Sequence, residues 1–589
     1  MRDTGFSGDQ LLAMYDRVAG AEDAIPRLRR FVLDLAVRGK LVAQDAADEP
    51  ASELLKRIES EKARLVKAGE IRKPRDLANG DETENPFEIP ASWRWCRIDS
   101  VGAIIGGGTP PSGNPENFAE PGQGIPWLTP ADLGGYRELF IERGMRDLTE
   151  KGLASSSATK MPAGTVLFTS RAPIGYVAIA ANPISTNQGF KSIVPYVSEC
   201  SRFIALVMQT FAPEIDAKAP GTTFKEVSGK IVAGVRFPLP PLAEQRRIVA
   251  KVAELMGLLD QLEQTRARAE GVRARLTTAT WARLTTDAAD APQSARHTDF
   301  ALKTLPALTT TPTQIKALRQ TILNLALRGK LVAQDPNDEP VSKSLAAISM
   351  KREGMIRNRE LRRDKPFAPV QVQDAPFQIP STWVWVRVGE LALFTQYGTS
   401  AKAAPSETGI PVLTMGNIQD GLVVRTNEKR ISENSDELPG LFLKNMDLLY
   451  NRTNSAELVG KTGLYRGDDD SLTFASYLIR IRLSVEETSP IYINIAMNAP
   501  DFRETQIVPH IKKQTGQANV SGSALKNMLI PLAPLAEQHR IVAKVDALME
   551  LCDQLETALT TTATTRARLL ETLIRRALSP DDPIPQAAE

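Results

Sequence analysis

The chain has 589 residues, of which 42% are hydrophobic and 24% charged, and a formal net charge of +2. These proportions are typical of soluble globular proteins and argue against disordered, collagen-like and membrane classes. The length indicates about two to four domains, because a single hydrophobic core does not grow that large. The small net charge means that any nucleic-acid surface must come from local clusters of Lys and Arg.

Targeting and redox signals are sparse. The sequence has no run of about eighteen apolar residues, and its opening residues contain no apolar signal core, so we expect a cytoplasmic protein with no membrane partner. Cys96, Cys200 and Cys552 are odd in number and far apart in the sequence. This spacing predicts reduced structural thiols rather than disulfides or a zinc site.

The first predicted element is a helical segment over residues 1–84. Apolar residues from Leu28 to Leu35 recur at steps of three and four, which predicts a short amphipathic helix with Gly39 as its C-terminal cap. The stretch SELLKRIESEKARLVKAG predicts a second helix. Residues 85–240 then contain short β-type runs separated by Gly, Pro and Asn turns, which predict an α+β domain.

A long helix is predicted over residues 241–285. Its apolar residues step by four, three, four and three, which is the heptad pattern of a coiled coil. These seam residues are Ile248, Val252, Leu255, Leu259 and Leu262. Residues 286–312 are rich in Thr, Ala and Pro, and this composition indicates a linker.

The second half of the chain repeats this order. LRRFVLDLAVRGKLVAQDAADEP from Leu28 matches LRQTILNLALRGKLVAQDPNDEP from Leu318 at 16 of 23 positions. PLPPLAEQRRIVAKVAELMGLLDQLE from Pro238 matches PLAPLAEQHRIVAKVDALMELCDQLE from Pro531 at 20 of 26 positions. The offsets, 318 − 28 = 290 and 531 − 238 = 293, are nearly equal. The chain is therefore an internal duplication.

The duplication supplies the remaining boundaries. We expect a second helical segment, a second α+β domain, a second long helix and a tail, over residues 313–374, 375–533, 534–578 and 579–589. A helix of some forty residues spans roughly 60 Å, and two such helices in one chain pack most simply on each other. The predicted fold is α+β: two globular α/β domains separated by a long antiparallel intramolecular coiled coil, with a pseudo-twofold relation between the halves.

The doubled PLxPLAEQxRIV motif, the two RGKLVAQD helices and the paired FxIPxxWxW segments resemble the specificity subunit of type I restriction-modification systems. The resemblance extends over about residues 25–578. It implies two target-recognition domains, each of which reads one half of a split double-stranded DNA target, with an unread spacer between the halves.

The resemblance also implies partners. It predicts a subunit that has no catalytic centre and binds two methyltransferase (modification) subunits and two restriction (motor-nuclease) subunits. S-adenosylmethionine, ATP and Mg²⁺ are then expected on those partners, while this chain binds no cofactor or metal. In agreement, the sequence contains no Ser-His-Asp, HExxH or Walker pattern.

The two halves diverge between the repeated helices. IIGGGTPPSGNPENFAEPGQGIPWLTPADL in the first domain corresponds to LFTQYGTSAKAAPSETGIPVLTMGNI in the second, and they share little beyond GT and GIPxLT. Two different reading domains predict an asymmetric, bipartite target. The glycine run GGGTPPSGN lacks the Lys and Ser/Thr of a phosphate-binding loop, so a tight backbone turn is the expected structure.

Candidate DNA contacts are the Arg, Lys, Asn, Gln and Thr residues of polar loops, because these types bind phosphates and base edges. In the first domain they are Thr109, Arg171, Asn187, Gln188, Lys191, Lys225 and Lys230. In the second domain they are Asn451, Arg452, Thr453, Asn454, Lys461, Lys512, Lys513, Gln517 and Asn519. Taken singly, each of these positions is also consistent with a solvated loop.

Basic residues at the start of each long helix are candidates for contacts with a partner subunit. They are Arg246, Arg247, Lys251, Arg540 and Lys544. The alternative at these positions is the solvated face of a coiled coil. For the whole chain, the alternative to DNA recognition is a coiled-coil adaptor that binds two protein partners without reading DNA.

Overall fold

The computed structural model describes residues 5–21, 23–71, 85–221, 225–285, 296, 300, 303–304, 308–426, 428–514 and 516–578. Most of the predicted linker and all of the predicted tail lie outside these described residues. The chain divides into two compact units, Met1–Arg268 with Thr562–Glu589, and Ala269–Thr561. Both units mix helices and strands. Across the described ranges, no helix combines the length and hydrophobicity needed to cross a bilayer.

The helices follow the predicted order in both halves. The first half contains α1 (Gly8–Val18), α2 (Ala24–Val37), α3 (Ala51–Lys67), α4 (Ile98–Val101), α5 (Glu150–Ala154), α6 (Ser201–Ala217), α7 (Gly229–Ala233) and α8 (Leu242–Thr285), with 3-10 turns at Pro115–Asn117, Pro130–Leu133 and Ser198–Cys200. The second half contains α9 (Pro312–Leu327), α10 (Val341–Arg357), α11 (Val388–Leu391), α12 (Leu438–Leu441), α13 (Pro490–Asn498), α14 (Pro500–Phe502), α15 (Gly522–Asn527) and α16 (Leu535–Leu578), with 3-10 turns at Val372–Asp374, Met415–Asn417 and Val508–His510 and a π-helical turn at Arg503–Ile507.

The first domain is built on three sheets. Its strands are β1 (Arg94–Arg97), β2 (Gly102–Gly106), β3 (Phe118–Ala119), β4 (Ile125–Leu128), β5 (Phe140–Ile141), β6 (Arg146–Leu148), β7 (Val166–Ser170), β8 (Ile174–Ala180), β9 (Ser185–Thr186), β10 (Lys191–Pro195) and β11 (Arg236–Leu239). The main sheet has the order β2-β10-β7-β8-β5, a second has the order β3-β6-β4-β9, and β1 pairs with β11. Successive residues of β7 alternate between two cores: Phe168 packs with α6, whereas Leu167 packs with the residues of β4.

The second domain is assembled differently. Its strands are β12 (Val384–Arg387), β13 (Phe394–Tyr397), β14 (Ile410–Leu413), β15 (Ile418–Gln419), β16 (Leu422–Val423), β17 (Arg430–Ile431), β18 (Leu448–Asn451), β19 (Thr453–Asn454), β20 (Thr462–Leu464), β21 (Thr473–Phe474), β22 (Leu478–Arg482), β23 (Lys512–Gln514), β24 (Gln517–Asn519) and β25 (Leu529–Leu532). The main sheet has six strands in the order β13-β22-β18-β20-β16-β15, with two three-stranded sheets, β17-β14-β21 and β19-β24-β23, and the pair β12-β25.

In both domains the first and last strands pair with each other. β1 and β11 are antiparallel, with Trp95 opposite Pro238, and β12 and β25 are antiparallel, with Trp385 opposite Pro531. The chain therefore enters and leaves each domain at the same place. The long helix begins a few residues after the last strand, so each domain is anchored at the start of its long helix.

The short repeated helices end as the sequence predicts. α2 ends at Val37, and Gly39 follows with φ of +67°. The second copy has the same geometry at Gly329, with φ of +65°. A Cβ at Gly39 would lie 2.5 Å from Pro90 Cγ, so only glycine fits this turn.

The heptad seam of each long helix packs against the short helices of its own unit. Ile248, Leu255 and Leu259 are fully buried in the core that contains α1 and α2. In the second half Ile541 and Val545 are buried in the core that contains α9. The sequence reasoning did not anticipate this partner, because it assigned the seam to the other long helix alone.

The end of α16 belongs to the first unit. Leu570 is fully buried in the same core as Leu28 of α2. Arg27 of α2 forms an ion pair with Glu571 and donates a hydrogen bond to the carbonyl oxygen of Ala567 at 3.4 Å. Residues from the far end of the sequence thus complete the core of the first unit.

Candidate DNA interface

Four polar loops of the first domain meet at one end of its main sheet. Backbone hydrogen bonds join them: Gly108 N donates to Thr186 O at 2.9 Å, and Ser170 N donates to Gly189 O at 2.7 Å. Val227 N donates to Ser170 O at 2.9 Å and adds the loop before α7. The sequence predicted DNA contacts in each of these loops, and the fold brings the loops together.

The side chains of this cluster already interact. Thr109 donates a hydrogen bond to the side-chain oxygen of Gln188. Arg171 and Lys191 both face the carboxylate of Glu226, at 3.7 and 3.3 Å. A shared carboxylate holds two basic groups side by side, which is an arrangement suited to an elongated anion such as a DNA strand.

The remaining candidates of the first domain lie at the border of this cluster. The side-chain oxygen of Asn187 accepts a hydrogen bond from Gly189 N at 2.8 Å and so stabilises its own turn. Lys225 is exposed and pairs with Asp216 at 3.2 Å. Lys230 is exposed at the start of α7.

In the second domain, six of the nine candidates lie on the three-stranded sheet β19-β24-β23. Thr453 lies opposite Asn519, and Lys513 lies opposite Ala518. Lys512, Lys513 and Gln517 are exposed. The first domain has no counterpart of this hairpin among its described strands. A two-stranded ribbon with exposed lysines has dimensions that the DNA major groove admits.

Arg452 lies at the base of this sheet. Its guanidinium donates a hydrogen bond to Asn519 Oδ1 at 3.0 Å and stands 5.1 Å from the centre of the Tyr397 ring. The hydroxyl of Tyr397 in turn accepts a hydrogen bond from Gly522 N at 2.8 Å. The aromatic ring therefore fixes the arginine before any ligand arrives.

Four other candidates of the second domain differ in exposure. Asn451 is 1% exposed and Thr453 is 8% exposed, so neither side chain is available to DNA in this conformation, and both are corrected to structural positions. Asn451 lies on β18, an interior strand of the main sheet, whereas Thr453 lies on the edge strand β19 and is buried all the same. Asn454 is half-buried and Lys461 is exposed.

The basic residues of the long helices also divide into two groups. Arg247 forms a two-bond ion pair with Asp48, at 3.1 and 2.6 Å, and Arg540 does the same with Asp338, at 3.1 and 2.7 Å. These two arginines hold together the frame, which consists of the repeated helical segments and the two long helices. Lys251 pairs with Glu254 at 2.7 Å along the helix, and Arg246 and Lys544 are exposed.

Tyr397 and Glu226 are the site residues that the sequence reasoning missed. The signal for Tyr397 was its place beside the shared GT motif. Thr399 N donates to Phe474 O at 2.8 Å, as Gly108 N does to Thr186 O in the first domain.

Within the described part of the chain, no three or more His, Cys, Asp or Glu side chains are grouped so that they could hold a metal ion.

Comparison with known proteins identifies relatives of both halves. The family model described as "Type I restriction modification DNA specificity domain" matches residues 90–270 and again residues 380–564. The specificity subunit of the Escherichia coli type I restriction enzyme EcoEI is 29% identical over 577 residues, which is 94% of each chain. That of EcoAI, also from Escherichia coli, is 28% identical over 574 residues and again covers 94% of each chain.

A shorter match and a solved structure complete the comparison. The specificity subunit of the MjaIX enzyme from Methanocaldococcus jannaschii is 37% identical over 183 residues, or 31% of this chain and 41% of that one. A crystal structure of the HsdS subunit from Thermoanaerobacter tengcongensis aligns with a TM-score of 0.43 and 19% identity, over 85% of this chain and 100% of that one. Because the family model matches both halves, this chain belongs to the type I restriction-modification DNA specificity family, whose members are specificity subunits and not the catalytic ones.

Proposed function

We propose that this chain recognises an asymmetric, bipartite DNA sequence and directs an adenine methyltransferase and an ATP-dependent endonuclease to it. The observation that carries the proposal is the family match in both halves, combined with recognition domains of different strand order. Two unlike domains on a duplicated frame suit a target whose two halves differ. A target that reads the same on both strands would require two like domains.

The base and phosphate contacts would come from the two loop clusters. In the first domain they would be made by Thr109, Arg171, Gln188 and Lys191, which the fold brings together. In the second they would be made by Arg452, Lys512, Lys513 and Gln517. Both clusters contain several basic groups, and several phosphate contacts are needed for useful affinity.

The frame would hold the partners. The long helices α8 and α16, of 44 residues each, would pair as an antiparallel coiled coil. The near-identity of their first turns supports docking of two copies of one methyltransferase subunit, with Arg246, Lys251 and Lys544 within the contact surface. Two restriction subunits would complete the complex. S-adenosylmethionine, ATP and Mg²⁺ would bind to those partners and not to this chain.

The domain boundaries enter the same proposal. Residues 85–240 and 375–533 would be the two recognition domains, and residues 241–285 and 534–578 would be the helices between them. Replacing one recognition domain would then change one half of the target.

Sequencing of modified bases in the native host tests this function. With the gene intact, methylated adenines should mark one bipartite asymmetric motif, and they should vanish from that motif when the gene is deleted. An unchanged pattern of methylation would contradict the proposal. It would favour the adaptor alternative, for which the purified partner complex should show no sequence-specific DNA binding that weakens steeply with salt.

A further inference from the structure

A buried carboxylate stands at the start of the first long helix. Glu244 lies in the first turn of α8 and is 1% exposed. Its two oxygens accept hydrogen bonds from Trp93 Nε1 at 2.9 Å and from Gln44 Nε2 at 2.6 Å. Trp93 comes from the segment that leads into the recognition domain, and Gln44 comes from the loop after α2. One side chain therefore joins the long helix to both of its neighbours.

The second half repeats the same group. Glu537 lies in the first turn of α16, is fully buried and accepts a hydrogen bond from Gln334 Nε2 at 3.1 Å. Trp383 Nε1 is buried without a hydrogen-bond partner among the described residues, and so is Oε2 of Glu537. The carboxylate contact is thus more complete in the first half than in the second.

Two further contacts extend the group along each helix. Arg247 and Arg540, one turn beyond the glutamates, form the ion pairs with Asp48 and Asp338 described above. Farther along, Arg29 of α2 reaches Asp260 at 2.5 Å and Glu263 at 3.1 Å. The copy repeats this contact from Arg319 to Asp553 at 2.5 Å and Glu556 at 3.0 Å.

Stability alone is a weak explanation for a charged group at these positions. A buried, hydrogen-bonded carboxylate costs desolvation energy that an apolar side chain of similar volume avoids, so such groups are weak evidence for stabilisation. A hydrogen-bonded network is directional, however, whereas apolar packing tolerates sliding and rotation. The N-terminal turn of a helix also favours a negative charge, which suits a glutamate there better than elsewhere on the helix.

We propose that Glu244 and Glu537 are positioning residues that fix the direction in which each long helix leaves its recognition domain. This inference rests on the proposed function. It means that the two glutamates determine how strictly the complex distinguishes DNA targets whose half-sites are separated by spacers of different length. On the proposed function, helix length would determine which spacer is preferred. These glutamates determine how sharply it is preferred.

The direct test measures the helix and not the DNA. Spin labels at exposed Glu199 in the first recognition domain and at exposed Gln261 on α8 report the orientation of the long helix relative to that domain. In the full chain we expect a narrow distance distribution for the wild type, and a clearly broader one for Glu244→Ala and for the milder Glu244→Gln. Leu259→Ala, which removes a buried seam residue of the same helix without touching the carboxylate group, is the matched control and should leave the width unchanged.

The functional test uses the complex with its methyltransferase subunits. Binding is measured on DNA that carries the native half-sites with the native spacer, or with one base pair added or removed. The preference of the wild type for the native spacer should fall by about tenfold in Glu244→Ala with Glu537→Ala, and by less in the double Gln variant. Leu259→Ala should keep the wild-type ranking even if its thermal stability is lower.

The outcomes separate the two proposals. An unchanged distance distribution in the Glu244 variants overturns the positioning role. A broader distribution with an unchanged spacer ranking overturns the link to spacer discrimination. If the wild-type complex itself binds no specific sequence, the proposed function fails, while the distance measurement still decides whether the glutamates position the helix.

Discussion

Since the duplication, the frame of this molecule has kept its contacts, whereas its two recognition domains have diverged. In the frame, the contacts from Arg29 to Asp260 and from Arg319 to Asp553 have the same partners and the same 2.5 Å length. In the domains, even the buried centre of the main sheet has changed. Ser192 of β10 lies opposite Ile105 of β2, and the corresponding residue of the second domain is Arg480 of β22, which lies opposite Gln396 of β13. Contacts within the duplicated frame have thus been retained, whereas the interiors of the two domains have diverged.

The loops of the candidate DNA interface are intermediate between the frame and the domain interiors in how much they have changed. A Cβ at Gly107 would lie 2.4 Å from Thr186 O, and a Cβ at Gly398 would lie 2.2 Å from Phe474 O. Both glycines let one loop pass against the neighbouring strand. The path of the loop has been retained while the side chains that it presents have been replaced.

Exchange of the region 87–239 for the corresponding region of another family member should give the largest effect. We expect one half of the DNA target to be replaced completely and the other half to remain, because only one reading domain has changed. Sequencing of methylated adenines checks this result. A change in both half-sites would contradict the independence of the two domains.

Arg480→Met should reveal how far the second domain depends on a residue that the first lacks. Arg480 is 2% exposed, lies 3.8 Å from Asp447 and donates to the carbonyl oxygens of Phe442 and Gly440. Removing it leaves buried acceptors unpaired, so we expect a loss of about 3 kcal/mol in the free energy of unfolding. Denaturant unfolding gives the value. Arg363→Met, which breaks an exposed ion pair with Glu353, is the control and should cost less than about 1 kcal/mol.

Gly39→Ala and Gly329→Ala test whether the two halves of the frame are still equivalent. Both glycines have positive φ and face a proline ring at about the same distance, so the two substitutions should each destabilise the protein by about 2 kcal/mol. Thermal unfolding with hydrogen exchange of each half measures the two costs. Gly257→Ala, in the open middle of α8, is the control and should stabilise the helix by up to about 1 kcal/mol. Clearly unequal costs at Gly39 and Gly329 would show that the two halves of the frame have diverged after all.

Lys512→Ala with Lys513→Ala removes two exposed charges that only the second domain presents. If each binds one phosphate, the slope of log affinity against log salt should fall by about 2, with the target sequence unchanged. Titrations of the complex at several salt concentrations measure the slope. Lys343→Ala, on the exposed surface of α10, should leave it unchanged. An unaltered slope in the double variant would place the hairpin away from DNA.

The smallest expected effect is on pH dependence. Burial raises the pKa of Glu244 and of Glu537, and hydrogen bonds and the nearby Arg247 and Arg540 only partly oppose it, while Asp48 and Asp338 add to it. A carboxyl group with a raised pKa contributes most stability below its ordinary pKa and loses that contribution as pH rises through the raised value. Above the ordinary glutamate pKa of about 4.3, Glu244→Gln with Glu537→Gln should therefore reduce any fall in unfolding free energy with rising pH. An unchanged slope would show that these groups do not titrate as described.

The sequence predicted what depends on local pattern. The short helix before Gly39, its cap, the long helices and the duplicated order all follow from periodicity and glycine chemistry, and the structure confirms them. Strand order could not be predicted, because pairing joins residues far apart, as Arg94 and Leu239 do. The partner of Arg247 could not be predicted either, because Asp48 is 199 residues away in the sequence. Arg480 contradicted the rule that charged residues are exposed, and only its contacts explain it.

The packing of Leu570 against α2 affects how the protein is made on the ribosome. Residues 562–578 are translated only after the whole of the second unit, yet they cover the core of the first. During synthesis, α1 and α2 therefore emerge from the ribosome long before residues 562–578 can pack against them. Residues of α8 already cover part of this core, but the part that Leu570 covers stays exposed until synthesis ends, which makes it a surface that chaperones can bind.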